Sequence, residues 1–273
     1  MLRRFRKFAG LSLSPLVSVL RLSGAIGTGR RGLSLEALEE DIERAFAPAD
    51  QVAVALSINS PGGSPVQSAL IARRIRALAS EKSLPVLAFV EDVAASGGYW
   101  LACAGDEITA EGCSIVGSIG VVSAGFGFTG LMEKLGVDRR VHTAGASKSM
   151  LDPFQAERPE DVAHLKALQG DMHVSFKQWV RERRGARLRA PETELFEGAF
   201  WTGARALDLG LVDRLGDLRG TLRERFGDKV QIRLVNPPRR PGLGRLIGLD
   251  ARSLTDGFAQ TLEERAAYAR YGL

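Results

Sequence analysis

This 273-residue sequence predicts an α/β fold built from βαβ units, and three observations predict it. Short apolar runs alternate with stretches whose apolar residues recur every three or four positions, the signatures of strand and helix. Two of the runs end in glycine-rich turns that open the next helix. The run 85–90 is apolar without a break, as a parallel strand covered on both faces must be. Strands and helices alternating in this way join through right-handed crossovers. A hydrophobic share of 45% and a charged share of 25% are those of an ordinary folded domain. They exclude a wholly disordered chain, a collagen-like fibre and a multi-span membrane protein.

In chain order, residues 17–22 read as the first strand. Residues 35–46 read as a helix, with Leu35, Leu38, Ile42 and Phe46 on one face between acidic neighbours. A second strand, 52–58, runs into Asn59-Ser60-Pro61-Gly62-Gly63-Ser64, and a helix follows to about 78 with Val66, Leu70, Ile71, Ile75 and Leu78 on one face. The buried strand 85–90 leads to Ala95-Ser96-Gly97-Gly98 and a short apolar helix over 99–104. Residues 105–127 are the densest glycine stretch, with strand-like pieces such as 119–122. Then come a helix (129–135), a strand (137–143) and a loop (144–154). A long helix starts at Pro159, a residue suited to a first helical turn, and continues to about 184. Residues 200–213 read as strand, turn and a helix ending at Gly210. Beyond Pro237-Pro238 a linker leads to a terminal helix over 262–271. The domain reading is a basic tail (1–14), one main domain (15–235), and a linker with its helix (236–273).

Lys and Arg number 37 against 32 for Asp and Glu, a net charge of +5. The excess sits near the ends, at Arg3, Arg4, Arg6 and Lys7 and at Arg239, Arg240 and Arg245. A nucleic-acid binder would spread such residues along one face with aromatics between them, so no nucleic-acid partner is expected. Two solvated tails explain the clusters; attraction to an anionic membrane surface, worth up to about 1 kcal/mol per residue, is the sharper reading. No apolar run approaches the roughly 20 residues that span a bilayer. Residues 8–20 follow a basic start as a signal peptide would, but Ser12, Ser14, Pro15, Ser18 and Arg21 interrupt them. The expected location is cytoplasmic, or peripheral on the inner membrane. Cys103 and Cys113 form no disulfide framework and read as reduced thiols. His142, His164 and His173 have no metal-ligand spacing with cysteine, so neither a metal nor another cofactor is expected.

Three features carry chemistry. Ser60-Pro61-Gly62-Gly63-Ser64 leaves backbone N–H groups free at a helix N-terminus, where an anion fits, although it is also an ordinary strand-to-helix turn. It lacks the lysine and spacing of a phosphate loop. Ser96, in Ala94-Ala95-Ser96-Gly97-Gly98, has neighbours small enough for a substrate backbone to approach its Oγ, and the Gly97 N–H can face a developing oxyanion. Ser96 is equally readable as an N-cap, and the pattern is not Gly-x-Ser-x-Gly. Lys148, in Gly145-Ala146-Ser147-Lys148-Ser149, is either a solvated loop residue or a base. A lysine serves as base only when desolvation brings its pKa down from about 10.4. His164 and His173 are expected on the outside of the long helix, which leaves His142 as the rival base.

Taken together, Ser60-Pro61-Gly62-Gly63, Ala95-Ser96-Gly97-Gly98-Tyr99, Gly117-Ser118-Ile119-Gly120-Val121 and the loop 148–154 resemble the signal peptide peptidase A family. These are serine–lysine peptidases of the Clp-protease and crotonase-like superfamily. The resemblance covers about residues 15–235 and implies a ββα spiral of βαβ units, here with a helical C-terminal extension, and assembly into a homo-oligomeric ring or dome. It implies Ser96 as nucleophile, Lys148 as general base, Ser118 as the serine that orients that lysine, and the N–H groups of Gly62 and Gly97 as oxyanion hole. Gly63 would support the turn. Peptides are then the substrates, among them signal-peptide or membrane-protein fragments. Many members of the family carry a membrane-spanning N-terminal helix that this sequence does not show. Two alternatives stay open: a crotonase-like acyl-CoA enzyme, which usually places acidic residues where Ser and Lys stand here, and a non-catalytic membrane-associated scaffold. Phage capsid-maturation peptidases also resemble the family, but the scaffold segment that usually accompanies them is missing.

Overall fold

The computed structural model describes residues 14–27, 32–237 and 265–273. The basic clusters at 3–7 and 239–245, most of the expected linker and the start of the expected terminal helix lie outside those residues. Eight strands form one sheet among the described residues: β1 (Leu16–Ser23), β2 (Gln51–Ser60), β3 (Val86–Ala95), β4 (Glu107–Ala110), β5 (Ile115–Gly117), β6 (Phe200–Thr202), β7 (Arg214–Leu215) and β8 (Gln231–Leu234). The helices are α1 (Leu35–Phe46), α2 (Pro65–Lys82), α3 (Gly97–Ala102), α4 (Thr129–Leu135), α5 (Pro159–Arg184), α6 (Glu192–Leu195), α7 (Gly203–Asp208) and α8 (Leu218–Phe226). The main path runs β6-β5-β3-β2-β1-β8, with β4 beside β3 and β7 beside β4. Every pairing is parallel except β5 with β6.

Alternation along the central strands sends side chains to two different cores. Leu20, Leu22, Leu56, Ile58, Ala88 and Val90 pack with α1, α2 and α3 in the larger one. Val17, Val19, Ala53, Ala55, Leu87 and Phe89 pack on the opposite face against Leu222 of α8. Cover on both faces explains why these strands lack polar alternation. Helix ends follow local chemistry: Ser34 Oγ accepts from the Ala37 N–H to cap α1, and Pro65 opens α2 behind Ser64. α5 begins at Pro159 with Glu160 and Asp161 in its first turn and ends with Arg181, Arg183 and Arg184, each charge matched to the helix dipole.

The strand expected to stop at residue 90 continues to Ala95. Its middle is polar because the sheet forks there: residues 87–90 pair with β4, and residues 93–95 pair with β5. Glu91 and Asp92 lie at the fork, where Glu91 accepts from Ser57 Oγ at 2.5 Å and Asp92 from Asn59 Nδ2 at 2.6 Å. The expected strands at 119–122 and 137–143 are absent, since those residues find no ladder partner among the described residues. Residues 119 and 120 stay with the body, Ile119 buried in the larger core, whereas residues 121–157 form an arm that packs on itself. Arg139 pairs with Asp152 at 2.9 Å and lies over the Phe154 ring, which stacks on Phe128 at 5.3 Å.

One buried ion pair ties the end of α5 to the sheet. The Arg184 side chain donates to Asp213 at 2.7 and 3.0 Å and to the Gly210 carbonyl at 2.8 and 3.1 Å. Asp213 also accepts from the Ile108 N–H of β4 at 2.7 Å, and Tyr99 donates to the Leu211 carbonyl at 2.8 Å. Burial alone would raise the Asp213 carboxyl, but the hydrogen bond and charge of Arg184 outweigh it and hold the group below the usual carboxylate range. The same burial pushes the neighbouring Cys103 thiol up to about 12, so this cysteine behaves as a small apolar filler. Arg184→Ala leaves the carboxylate with only the more distant Arg187 at 3.7 Å and the Ile108 N–H as partners, and is expected to cost about 3 kcal/mol in a denaturant titration. A depressed carboxylate contributes stability above its unfolded value near 3.9 and loses it as pH falls through the folded value. Asp213→Asn should therefore flatten the fall of unfolding free energy below about pH 4, measured by urea titrations across that range.

Candidate active site

The cleft forms where β2 and β3 end side by side. Ser96 follows the last residue of β3 with φ 52° and ψ −120°, a left-handed backbone conformation that a non-glycine residue rarely adopts. Its N–H donates to the Gly117 carbonyl at 2.8 Å, and its carbonyl accepts from the Trp100 N–H at 3.0 Å. Although Ser96 sits at the N-cap position of α3, its side chain makes no capping bond. Ser96 lines a cleft of about 690 Å³.

Glycines shape the turn. A Cβ on Gly98 would lie 2.4 Å from the Ser60 carbonyl oxygen, so α3 packs directly against the β2 turn. Gly62 has φ 99°, and a Cβ there would meet the Ala95 carbonyl oxygen at 2.7 Å, the Gly97 nitrogen at 2.8 Å and Ser96 Cβ at 2.8 Å. The turn is fixed from behind by Ile26, whose N–H donates to the Gly62 carbonyl at 2.8 Å and whose carbonyl accepts from Ser64 at 2.9 Å. The Gly62 N–H, expected in the oxyanion hole, donates to Ser60 Oγ at 3.2 Å. The Gly63 nitrogen lies 3.3 Å from where a Gly97 Cβ would stand, which places the Gly63 and Gly97 backbones side by side.

Ser118 reaches the same cleft from the end of β5. It too has a positive φ, 55°, and its N–H is held by the Ala199 carbonyl at 2.7 Å. Its Oγ lies 3.3 Å from the Tyr271 hydroxyl. The fold thus brings Ser96, Ser118, Gly62, Gly63 and Gly97 together, but Lys148 is not among the residues lining the cleft. Lys148 is exposed in the turns of the arm, its N–H bonded to the Gly145 carbonyl at 3.2 Å, and His142 is exposed on the same arm.

Three cleft residues were not legible as site residues. His173 was expected on the outside of the long helix, yet it lines the cleft with its Nε2 buried and without a hydrogen-bond partner among the described residues. Helical spacing gives the faces of α5 but not which one the β2 and β3 turns meet. Arg270 and Tyr271 arrive from the end of the chain, and no local motif marks them. Beside Ser96 a narrow recess of about 20 Å³ is walled by Trp100, Val121, Met172 and Phe176, the Trp100 and Phe176 rings stacking at 4.7 Å.

The chain resembles known proteins in sequence and in fold. Residues 78–230 match peptidase family S49. The chain is 52% identical over 287 aligned residues to a Brucella abortus protein named Na(+)/H(+) antiporter NhaA, an alignment that takes in 99% of this chain and 38% of that protein. The chain therefore spans little more than a third of the length of that relative. A Synechocystis sp. protein provisionally named a protease is 34% identical over 263 residues, covering 94% of this chain and 92% of its own length. Among solved structures, a mutant of a membrane-bound stomatin-specific protease superposes with a TM-score of 0.51 at 15% identity, over 83% of this chain and all of that one, a likeness of fold. No helix among the described residues is long and apolar enough to cross a membrane. The match over residues 78–230 and the 34% identity to the Synechocystis protein show that the chain belongs to peptidase family S49, the signal peptide peptidase A family of serine peptidases.

Proposed function

We propose that this peptidase cleaves peptide bonds with Ser96 as nucleophile and Lys148 as general base, and the backbone of Ser96 is the observation that carries the reading. A left-handed serine costs on the order of 1–3 kcal/mol and persists only where its surroundings impose it. Here the conformation belongs to a serine that lines a cleft and makes no capping bond. Ser96 Oγ attacks the substrate carbonyl carbon and its proton passes to the lysine amine. The tetrahedral oxyanion is met by the N–H groups of Gly97 and, because the Gly62 N–H already serves Ser60, of Gly63. Collapse expels the amine, which takes the proton from the lysine. Water activated by the same amine then hydrolyses the acyl-enzyme.

Lys148 stands outside the cleft of a single chain, and the arm that carries it suggests what brings it in. Phe126 is 82% exposed, Leu135 67% and Val122 64%, an apolar surface that the described residues do not cover. We infer that a second copy covers the arm and that this contact both delivers Lys148 to the Ser96 cleft and strips water from its amine. The recess beside Ser96 suits a small apolar side chain on the acyl side of the cut, as in fragments of membrane-spanning segments. A second reading has an observation of its own: His173 lines the cleft with an Nε2 that has no hydrogen-bond partner among the described residues, which makes it a candidate base in place of the lysine.

A fluorophosphonate probe should label the wild-type chain at Ser96 and fail on Ser96→Ala, whereas an acyl-CoA enzyme of the same fold would stay unlabelled. Lys148→Ala is expected to lower kcat by more than about 10³-fold while His173→Ala costs less than about tenfold, and the reverse order would hand the base role to histidine. Gly62→Ala should lower kcat about 10²-fold or more with little change in KM, because its Cβ meets backbone on both sides of the nucleophile and displaces it. Phe126→Asp combined with Leu135→Asp should dissociate the assembly in analytical ultracentrifugation and abolish peptide cleavage together; full activity from a monomer would refute delivery across a subunit contact.

A further inference from the structure

The first turns of α5 bury a single residue, and it is a charged one. From Pro159 through Ser175 every residue is exposed or half-buried except Asp161, which is 5% exposed. A carboxylate is costly to bury and needs hydrogen bonds in place of the water it loses. Asp161 Oδ1 accepts from Arg158 Nη2 at 2.7 Å, and Oδ2 accepts from Arg158 Nε at 2.9 Å and from the Leu151 N–H at 3.4 Å. The arginine belongs to the same helix end, whereas Leu151 belongs to the loop before it. Leu151 has φ 57°, a left-handed conformation that a bulky residue rarely adopts.

This strained residue follows Lys148 closely. The turns between them are tied to one another, the Met150 N–H donating to the Ser147 carbonyl at 3.3 Å. On the far side of Leu151 the chain is fastened to the arm. Asp152, its side chain 6% exposed, accepts from Arg139 Nε at 2.9 Å and from the Phe154 N–H at 3.0 Å, and the Pro153 carbonyl accepts from the Phe128 N–H at 2.7 Å. Among the hydrogen bonds of the described residues, that from Leu151 to Asp161 alone joins the loop to α5. The same helix lines the cleft at His173, about 18 Å further along its axis, and is locked to the sheet at Arg184. We propose that Asp161 is a positioning residue: its carboxylate imposes the left-handed conformation on Leu151 and so fixes the course of the loop that carries Lys148. The proposal rests on the reading of Lys148 as base. Without the carboxylate, Leu151 relaxes to a negative φ and the chain changes direction three residues from the amine. A displacement of about 1 Å at that amine is enough to cost on the order of 10²-fold in rate.

The test uses the full chain. Asp161→Ala should lower kcat at least about tenfold while KM stays within about twofold of wild type. Adding Leu151→Gly should return at least about threefold of that loss, because glycine takes a positive φ with no carboxylate to impose it. A merely structural role for Asp161 gives no reason for a more flexible residue to help. A second readout needs no activity: in Ser96→Ala, trypsin should cut after Lys148 at least about fivefold faster once Asp161→Ala is added, while cutting after Arg140, elsewhere in the arm, changes less than about twofold by mass spectrometry. Where Lys148→Ala is inactive, an unchanged kcat in Asp161→Ala, a loss confined to KM, or a double variant no better than the single one overturns the inference and leaves the base reading standing. Cuts after Arg140 that rise as fast as those after Lys148 also overturn it, since the whole arm then opens. Where Lys148→Ala keeps full activity and the cuts after Lys148 alone accelerate, the base reading falls and the hold on the loop stands.

Discussion

Ser96 is held in a conformation that costs it energy, and most of the site is the apparatus that holds it there. Its φ of 52° is stable because both flanks are fixed. Before it, Ala94 and Ala95 are paired to Val116 and Gly117. After it, α3 is packed so tightly on the β2 turn that Gly98 has no space for a Cβ. A longer residue at any of these positions would push the strand ends apart and let the serine relax. The strain on one residue thus ties the end of the sheet, the glycine turn and the short helix into one unit. The fork in the sheet belongs to the same unit: only because β3 leaves β4 and takes up β5 at Glu91 and Asp92 does Ser118 arrive beside Ser96.

What was legible in the sequence follows from the range of the interactions involved. The helices at 35–46, 129–135 and 159–184 and the strands under them were readable because periodicity and Pro159 are local signals. So were the glycine turns, whose conformations Gly62 and Gly63 adopt for reasons visible in a stretch of five residues. The full length of β3 was not, because Glu91 and Asp92 are polar for the sake of Ser57 and Asn59, 34 and 33 residues away. Residues 137–143 have the composition of a strand, yet composition cannot supply the neighbouring strand that a ladder needs. His173 and Tyr271 reach the cleft only through tertiary packing, and nothing within a few residues of either announces it.

The arm and the end of the chain are two apolar elements with opposite fates in the single subunit. The arm keeps Phe126 and Leu135 in water, a standing cost that an interface would recover. The terminal segment has already buried its aromatic residue. Both converge on Ser118, the arm through the role proposed for Lys148 and the terminal segment through the bond from Tyr271.

The Ser118 hydroxyl has two lone pairs and one proton, so the Tyr271 phenol takes one of its hydrogen-bonding positions and leaves room for a second partner. The phenol is held there by the Phe200 edge contact and by the Tyr268 bond to Asn59.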